Sequence, residues 1–372
     1  MANDGGDTRD KMMDAFWRAM SPPRLIDGNV RFADFLHLQR MVASPTSSPP
    51  GDGMDWDVAA EILGDRAVAK ARSHGDAGES LSAINSFRAA VAIYSFAQMP
   101  LVDSDRKRDL YRKIRDAMTS LCAIPEARTI RVEVPFNGRH MIGWLVMPAG
   151  ELHGAVVTFG GQSGWGAVYM RNALALADRG IATLLAEGPG QGETRLEQGV
   201  YLDVDVPAAY GAFIDVLDNL IPAKQANSRG RKPLGIWGNS LGGLFAATTA
   251  AGEPRIAACC VNSGIASPRL RGMRTFDEQA EQMLGTQDAE LITRNFERIS
   301  FTQDMRISSD LLVLHGTADP IVDLEDIQLF YDAGDPDRRT FSVWEGGDHA
   351  LYNHGDERND FVADWFLRSF MS

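Results

Sequence analysis

The 372-residue chain has little cysteine, no excess of basic residues and no long apolar run. Three cysteines are too few for a disulfide framework, and Cys259 and Cys260 lie in an apolar strand pattern that predicts buried, reduced thiols. The net charge of −13 argues against nucleic acid or an anionic membrane surface as a partner. No stretch approaches the ~20 apolar residues of a membrane helix, and neither a secretory signal nor metal-ligand spacing of His and Cys is visible. These absences predict a cytosolic protein that needs no metal and no cofactor.

The first 127 residues have the apolar spacing of helices and no strand pattern. Apolar side chains recur at three- and four-residue steps, which is typical of amphipathic helices. A Pro/Ser/Gly-rich loop over 44–53 interrupts them. We predict helices over 14–20, 32–42, 56–71, 81–96 and 103–121.

At Arg128 the apolar period changes from 3.6 to 2, and strands begin to alternate with helices. Asn137-Gly138 predicts a hairpin turn between strands 129–135 and 141–147. Alternation of strands and helices predicts an α/β fold, a mostly parallel sheet with helices on both faces. A helical insertion at about 265–305, with helices over 276–284 and 289–299, breaks the rhythm and reads as part of a lid. The other predicted strands are 155–159, 181–186, 234–237, 256–261, 311–314 and 340–344, and the other helices 168–177, 206–220, 244–251, 324–331 and 361–370.

The motif Gly238-Asn239-Ser240-Leu241-Gly242 joins a short buried strand to a helix rich in small residues. A strand that turns sharply into a helix through a serine is typical of a nucleophile elbow. The glycines are expected because side chains two residues before or after the serine would collide with neighbouring backbone. The motif therefore predicts that Ser240 is a nucleophile.

A serine hydroxyl needs a base within hydrogen-bond reach and an acid that orients the base. In this type of sheet the chain order is Ser, then Asp or Glu, then His. His349, on a glycine-containing loop after the last strand, fits the base, with His354 a distant second. Asp319, just after strand 311–314, fits the acid, with Asp323 as the alternative; Asp348 should point away from His349.

Two backbone N–H groups are needed to bind an oxyanion. One should belong to Leu241, the residue after the nucleophile. The other should come from the glycine-rich loop after strand 155–159, where Gly161 and Gln162 remain equal candidates. Residues 187–193, Glu-Gly-Pro-Gly-Gln-Gly-Glu, lack the Lys-Ser/Thr of a phosphate loop and predict a rigid turn near a pocket rim.

The order Ser240, Asp319, His349 resembles the α/β-hydrolase superfamily over residues 128–372. Residues 78–98, with the run Phe87-Arg88-Ala89-Ala90, are similar to the cap of the 2,6-dihydroxypseudooxynicotine hydrolase-like family, which includes C–C bond hydrolases and FrsA-like esterases. The resemblance implies an N-terminal helical cap over 1–127, a catalytic domain over 128–372 and a homodimer acting on a small molecule.

The resemblance further implies cleavage of a C–C bond next to a ketone in an aromatic or polyketide-like molecule. Trp165 and Trp237 are candidate substrate contacts of aromatic type. Residues 262–276 depart from the nicotine branch, because they contain no Asp or Glu but three arginines; of these, Arg271 is a candidate contact for an acidic or enolate group, although solvated surface charge is the simpler interpretation. Hydrolysis of an ester, amide or carbamate, a ligand receptor on the same fold, and an acyltransferase are the alternatives.

Overall fold

A computed structural model describes residues 20–45, 47, 50–222, 230–272 and 274–372. These residues form two compact units, one of residues up to 101 together with 105–127, the other of 102–104 together with 128–372. The predicted helix over 14–20 falls outside the described residues except for Met20.

The first unit is helical. Helix α4 packs between α3 and α5. A Cβ on Gly64 of α3 would lie 2.3 Å from the Tyr94 ring of α4, so glycine permits this close packing, and the Tyr94 hydroxyl donates to Asp65 at 2.5 Å. The helices predicted from apolar spacing between 32 and 121 are confirmed. The helices of this unit are α1 (Pro22–Asp27), which the apolar spacing did not predict, α2 (Phe32–Val42), α3 (Trp56–Asp76), α4 (Ser80–Gln98) and α5 (Asp105–Cys122), followed by a 3-10 turn at Pro125–Ala127.

The second unit contains an eight-stranded sheet. Its strand order is β1-β2-β4-β3-β5-β6-β7-β8, and β2 runs antiparallel to both β1 and β4 while the remaining pairs are parallel. The predicted α/β fold with an antiparallel hairpin is thereby confirmed. The strands are β1 (Thr129–Phe136), β2 (Arg139–Val146), β3 (Gly154–Phe159), β4 (Ile181–Glu187), β5 (Leu234–Asn239), β6 (Ala258–Asn262), β7 (Asp310–Gly316) and β8 (Arg339–Trp344).

Helices cover both faces of this sheet, and successive residues of the central strands face opposite layers. Ile236 and Cys259 belong to one buried cluster, whereas Trp237 and Cys260 belong to the cluster packed on the last helix. Both cysteines are fully buried free thiols, as predicted. The helices are α6 (Met170–Ala177), α7 (Gly192–Leu196), α8 (Val206–Leu220), α9 (Leu241–Gly252), α10 (Arg274–Leu284), α11 (Ala289–Ile299), α12 (Leu324–Ala333) and α13 (Gly355–Met371).

Two local differences from the sequence predictions bear on the site. The stretch read as a rigid turn over 187–193 continues into helix α7, because the Glu187 carboxylate accepts the backbone N–H of Glu193 at 2.7 Å and satisfies a donor in its first turn. Helix α9 begins at Leu241 rather than at 244, so the chain enters it directly from Ser240.

Candidate active site

Ser240 lies between β5 and α9 in a backbone conformation that residues other than glycine rarely adopt. Its φ is 59° and its ψ is −133°, in a region of backbone space where non-glycine residues are strained. Its backbone N–H donates to the carbonyl of Asn262 at 2.9 Å, which anchors the turn to the end of the neighbouring strand β6. The hydroxyl is thereby presented at the carboxyl edge of the parallel strands, where α/β folds place their ligands.

The two glycines of the motif are required by close backbone contacts. A Cβ on Gly238 would lie 1.9 Å from the carbonyl oxygen of Gly242, and one on Gly242 would lie 2.6 Å from the carbonyl oxygen of Gly160. Real Cβ atoms do not approach backbone so closely, so any side chain would force the elbow apart. The predicted steric reason for both glycines is confirmed.

His349 comes within hydrogen-bond distance of the serine. Its Nε2 lies 2.9 Å from Ser240 Oγ, at the start of the 3-10 turn His349–His354 that follows β8. The next two residues, Ala350 and Leu351, have φ values of 57° and 58°. The Ala350 N–H donates to the Ser263 hydroxyl at 3.0 Å, which holds the turn against the end of β6.

Asp319 faces the other side of the imidazole. His349 Nδ1 lies 2.9 Å from Asp319 Oδ2, and the carboxylate is fully buried. Its Oδ1 also accepts the backbone N–H groups of Ile321 at 2.8 Å and Val322 at 3.1 Å. Burial opposes ionisation of Asp319, but the hydrogen bond and charge interaction with His349 and these two N–H groups outweigh it and lower the pKa of the carboxyl below its usual range.

The alternatives considered from the sequence are placed elsewhere. Asp323 is exposed at the start of α12. Asp348 points away from the imidazole, since its carboxylate accepts the N–H of Asn353 at 3.1 Å. His354 pairs with Glu357 at 3.2 Å. The geometry therefore brings together the three residues that chain order selects.

The loop between β3 and α6 lies against the start of α9. A Cβ on Gly161 would lie 2.7 Å from the backbone nitrogen of Leu241, and the first N–H groups of a helix have no partner within it. The Gln162 side chain donates to the Phe276 carbonyl of α10 at 3.2 Å, which ties this loop to the helical insertion. Gly161 therefore lies against the backbone of Leu241, and Gln162 is the next residue of the same loop.

The predicted aromatic substrate contacts are buried. Trp237 is fully buried and packs on Phe366 of α13 with ring centroids 6.4 Å apart, so it is a core residue and the prediction that it contacts a substrate is wrong. Trp165 is also buried; its Nε1 donates to the Gln162 carbonyl at 3.1 Å, and the Arg195 guanidinium lies 4.8 Å from its ring centroid. Trp165 therefore supports the loop that carries Gly161 and Gln162.

Arg271 is engaged within the protein. Its Nη2 donates to the Ile321 carbonyl at 2.9 Å, and its guanidinium carbon lies 5.9 Å from the Phe276 ring centroid. This side chain therefore links the insertion to the loop after Asp319, a role that the sequence reading did not foresee.

A buried chain of polar groups behind the site was not found from the sequence. Asn239 and Asn262, the last residues of β5 and β6, are register partners. Asn262 Nδ2 donates to Asn239 Oδ1 and to the Ala350 carbonyl, both at 2.9 Å, and Arg358 Nη1 donates to the same carbonyl at 2.7 Å. Asparagines ending two adjacent buried strands are the one signal that could have revealed this support of the His349 turn.

Among the residues that the structure describes, no helix combines the length and the apolar character that a membrane span requires. Within the same residues no group of three or more His, Cys, Asp or Glu side chains is placed to hold a metal ion.

Comparisons with known proteins agree with this architecture. A model of the prolyl oligopeptidase family matches residues 167–372. The chain is 26% identical over 293 residues to 2,6-dihydropseudooxynicotine hydrolase from Paenarthrobacter nicotinovorans, an alignment that covers 77% of each chain. The crystal structure of 2,6-dihydroxy-pseudo-oxynicotine hydrolase covers 94% of this chain and 95% of its own, with a TM-score of 0.80 at 23% identity. This likeness confirms the α/β-hydrolase fold.

A fungal relative matches over a shorter span. The alpha/beta hydrolase ucsC of an Acremonium species is 29% identical over 253 residues, which is 62% of this chain and 50% of that protein. The chain thus spans about half the length of this curated relative. These similarities confirm the resemblance inferred from the motifs and place the chain among the hydrolases.

Proposed function

We propose that this chain, which belongs to the prolyl oligopeptidase family of α/β-hydrolases, uses Ser240 as its nucleophile, His349 as its general base and Asp319 to orient the base. The observation that carries the proposal is the hydrogen-bonded series in which Ser240 Oγ lies 2.9 Å from His349 Nε2 and Nδ1 lies 2.9 Å from Asp319. Such a series lets the imidazole take the serine proton during attack and return it to the leaving group.

The developing oxyanion would bind at the start of α9. Leu241 N–H is one donor, and Gly161 or Gln162 N–H is the other. Preorganised N–H groups of this kind typically contribute 10²- to 10³-fold each to the rate, because they meet charge that exists only in the transition state.

For the substrate, we propose a ketone whose neighbouring C–C bond is cleaved, in an aromatic or polyketide-like small molecule. The support is the similarity, over most of both chains, to a relative named for hydrolysis of 2,6-dihydropseudooxynicotine. Ser240 adds to the ketone carbon, and the resulting oxyanion collapses by breaking the C–C bond. The leaving carbon keeps the bonding electron pair, which a second carbonyl beside it, as in a β-diketone, delocalises as an enolate, and this carbon is then protonated by the imidazolium of His349. Water then attacks the acyl-enzyme with His349 as base and releases the carboxylic acid.

Two claims can be tested separately: that Ser240 is the nucleophile, and that the bond cleaved is a C–C bond. Wild-type enzyme, Ser240→Ala and Ser120→Ala would be treated with a fluorophosphonate, with 1-phenyl-1,3-butanedione and with p-nitrophenyl acetate. Ser120 is a matched control, since it lies on the outside of α5 with its hydroxyl bonded to a backbone carbonyl. We expect wild type and Ser120→Ala to be labelled on Ser240 and to cleave the diketone, and Ser240→Ala to lose both properties.

Each other outcome bears on a different part of the proposal. Full turnover by Ser240→Ala would overturn the nucleophile. Rapid hydrolysis of the aryl ester with no cleavage of the diketone would overturn C–C cleavage and leave an esterase with the same nucleophile.

A further inference from the structure

Gln191, in the segment between β4 and α7, is a fully buried side chain that contacts the candidate oxyanion loop. Its Nε2 donates to the carbonyl of Gly160 at 2.7 Å and to the carbonyl of Gly161 at 2.9 Å. Both hydrogens of the amide are therefore used on two successive carbonyls of one loop.

The orientation of this amide is fixed by chemistry. Gln191 Oε1 accepts the backbone N–H of Gly188 at 3.1 Å. A backbone N–H can only donate, so it must face the oxygen, and the NH₂ group must face the two carbonyls. The Tyr210 hydroxyl, at 3.5 Å from the same oxygen, agrees with this assignment.

The carbonyls that Gln191 holds belong to the peptide groups that contain the candidate donors. In a trans peptide the C=O and N–H point in opposite directions. The Gly160 carbonyl shares its peptide with the Gly161 N–H, and the Gly161 carbonyl shares its peptide with the Gln162 N–H. Drawing both carbonyls toward Gln191 therefore aims both N–H groups away from it. The next carbonyl, that of Gln162, accepts Trp165 Nε1 at 3.1 Å, so a third peptide of the loop is also held.

We propose that Gln191 is a positioning residue of the oxyanion hole, and that it sets the direction of the second N–H donor. The proposal rests on the function proposed above. The residue is a glutamine because it must accept from one backbone N–H and donate to two carbonyls in a site closed to water. A leucine there would leave one donor and two acceptors buried without partners, and a carboxylate would repel the two carbonyl oxygens.

The experiment compares Gln191→Leu with Thr194→Val. Thr194 is a matched control because it is also fully buried, three residues further on in α7, and also makes hydrogen bonds to backbone groups, donating to the Glu187 carbonyl at 2.5 Å and accepting from the Ile142 N–H at 2.9 Å. Neither of its bonds involves the loop that carries Gly161. Gln191→Glu is the second variant; it has the same shape and keeps the acceptor for Gly188 but loses both donors to the loop carbonyls, so it tests those two hydrogen bonds separately from the volume of the side chain.

The readout is inhibition by 2,2,2-trifluoroacetophenone, whose ketone forms a hemiketal oxyanion with an active serine, compared with acetophenone, which binds without adding. We expect Gln191→Leu to weaken the fluorinated ketone about 10- to 100-fold, somewhat less than removal of a whole oxyanion donor, and to leave acetophenone binding within about twofold. kcat for p-nitrophenyl acetate should fall in parallel while KM changes little. Gln191→Glu should shift the same quantities at least as far, because its carboxylate loses both hydrogen bonds and repels the two carbonyls, and Thr194→Val should leave them near wild type.

The outcomes separate the two proposals. If Gln191→Leu and Thr194→Val change the ratio of the two ketones equally, or neither changes it, Gln191 has no positioning role. If wild type itself forms no adduct with the fluorinated ketone and does not turn over the ester, it is the proposed function that fails.

Discussion

Replacement of Asp319 by asparagine should remove the activity of the enzyme while leaving its fold. The two backbone N–H groups of Ile321 and Val322 both bond to Oδ1, and they can only donate. In the variant the amide oxygen must therefore occupy the Oδ1 position, and the NH₂ group replaces Oδ2, which at 2.9 Å is the nearer of the two oxygens to His349 Nδ1, Oδ1 lying at 3.1 Å.

This substitution forces the imidazole into the wrong tautomer. An NH₂ group that points at Nδ1 obliges that nitrogen to accept, so the ring hydrogen moves to Nε2 and points at Ser240 Oγ. The nitrogen that must take the serine proton then has no free lone pair. By analogy with the equivalent substitution in other Ser-His-Asp enzymes, kcat should fall about 10⁴-fold, which corresponds to roughly 5 kcal/mol of transition-state stabilisation.

The free energy of unfolding of Asp319→Asn should differ only modestly from that of the wild type at neutral pH, and the difference should depend on pH. The variant keeps the two hydrogen bonds from the backbone N–H groups, but the acceptor is now a neutral amide instead of a carboxylate, which costs about 1–2 kcal/mol. Because the folded-state pKa of Asp319 is lowered, ionised Asp319 stabilises the wild type above the ordinary aspartate pKa of about 4, and this contribution is lost as the pH falls through the folded-state value. The difference between wild type and Asp319→Asn in free energy of unfolding should therefore shrink below pH 4.

The assay is steady-state hydrolysis of p-nitrophenyl acetate, with urea unfolding at pH 7 and pH 3. Asp323→Asn is the matched control, since this exposed carboxylate is the alternative acid. Retention of activity within tenfold by Asp319→Asn, or a loss of activity in Asp323→Asn instead, would refute the assignment of the acid and the tautomer argument with it.

Two further predictions follow from the backbone around the nucleophile. Ser240→Gly should be more stable than Ser240→Ala by about 1 kcal/mol, because both variants lose the hydroxyl but only alanine keeps a Cβ at a φ of 59°. Thermal unfolding of the two variants measures this difference. A more stable alanine variant would show that the backbone at residue 240 is unstrained. Asn262→Leu removes the two hydrogen bonds that Asn262 Nδ2 donates to Asn239 and to the Ala350 carbonyl of the His349 turn. We expect kcat to fall about tenfold or more while KM changes little, since small displacements of a catalytic group are costly. An unchanged kcat would mean that Arg358 is sufficient to hold the Ala350 carbonyl.

The main chemistry could be predicted from the sequence because it depends on residue type in a fixed order. A serine in a G-x-S-x-G motif after β5, an aspartate after β7 and a histidine after β8 form a pattern that can be recognised without coordinates. The sheet could be predicted for a similar reason, since buried parallel strands such as β5 and β6 are continuous apolar runs. The structure adds the distances, above all the 2.9 Å between Ser240 and His349.

The supporting residues could not be predicted because their partners are backbone atoms. Gln191 donates to the carbonyls of Gly160 and Gly161, about thirty positions earlier in the chain. Glycine has no side chain, so no residue pattern at those positions predicts this contact. The prediction for Trp237 failed for the opposite reason. Trp237 directly precedes the motif Gly238–Gly242, but strand alternation places its side chain in the layer opposite that of Ile236. Proximity along the chain is therefore a poor guide to proximity at a site, whereas the face of a strand decides it.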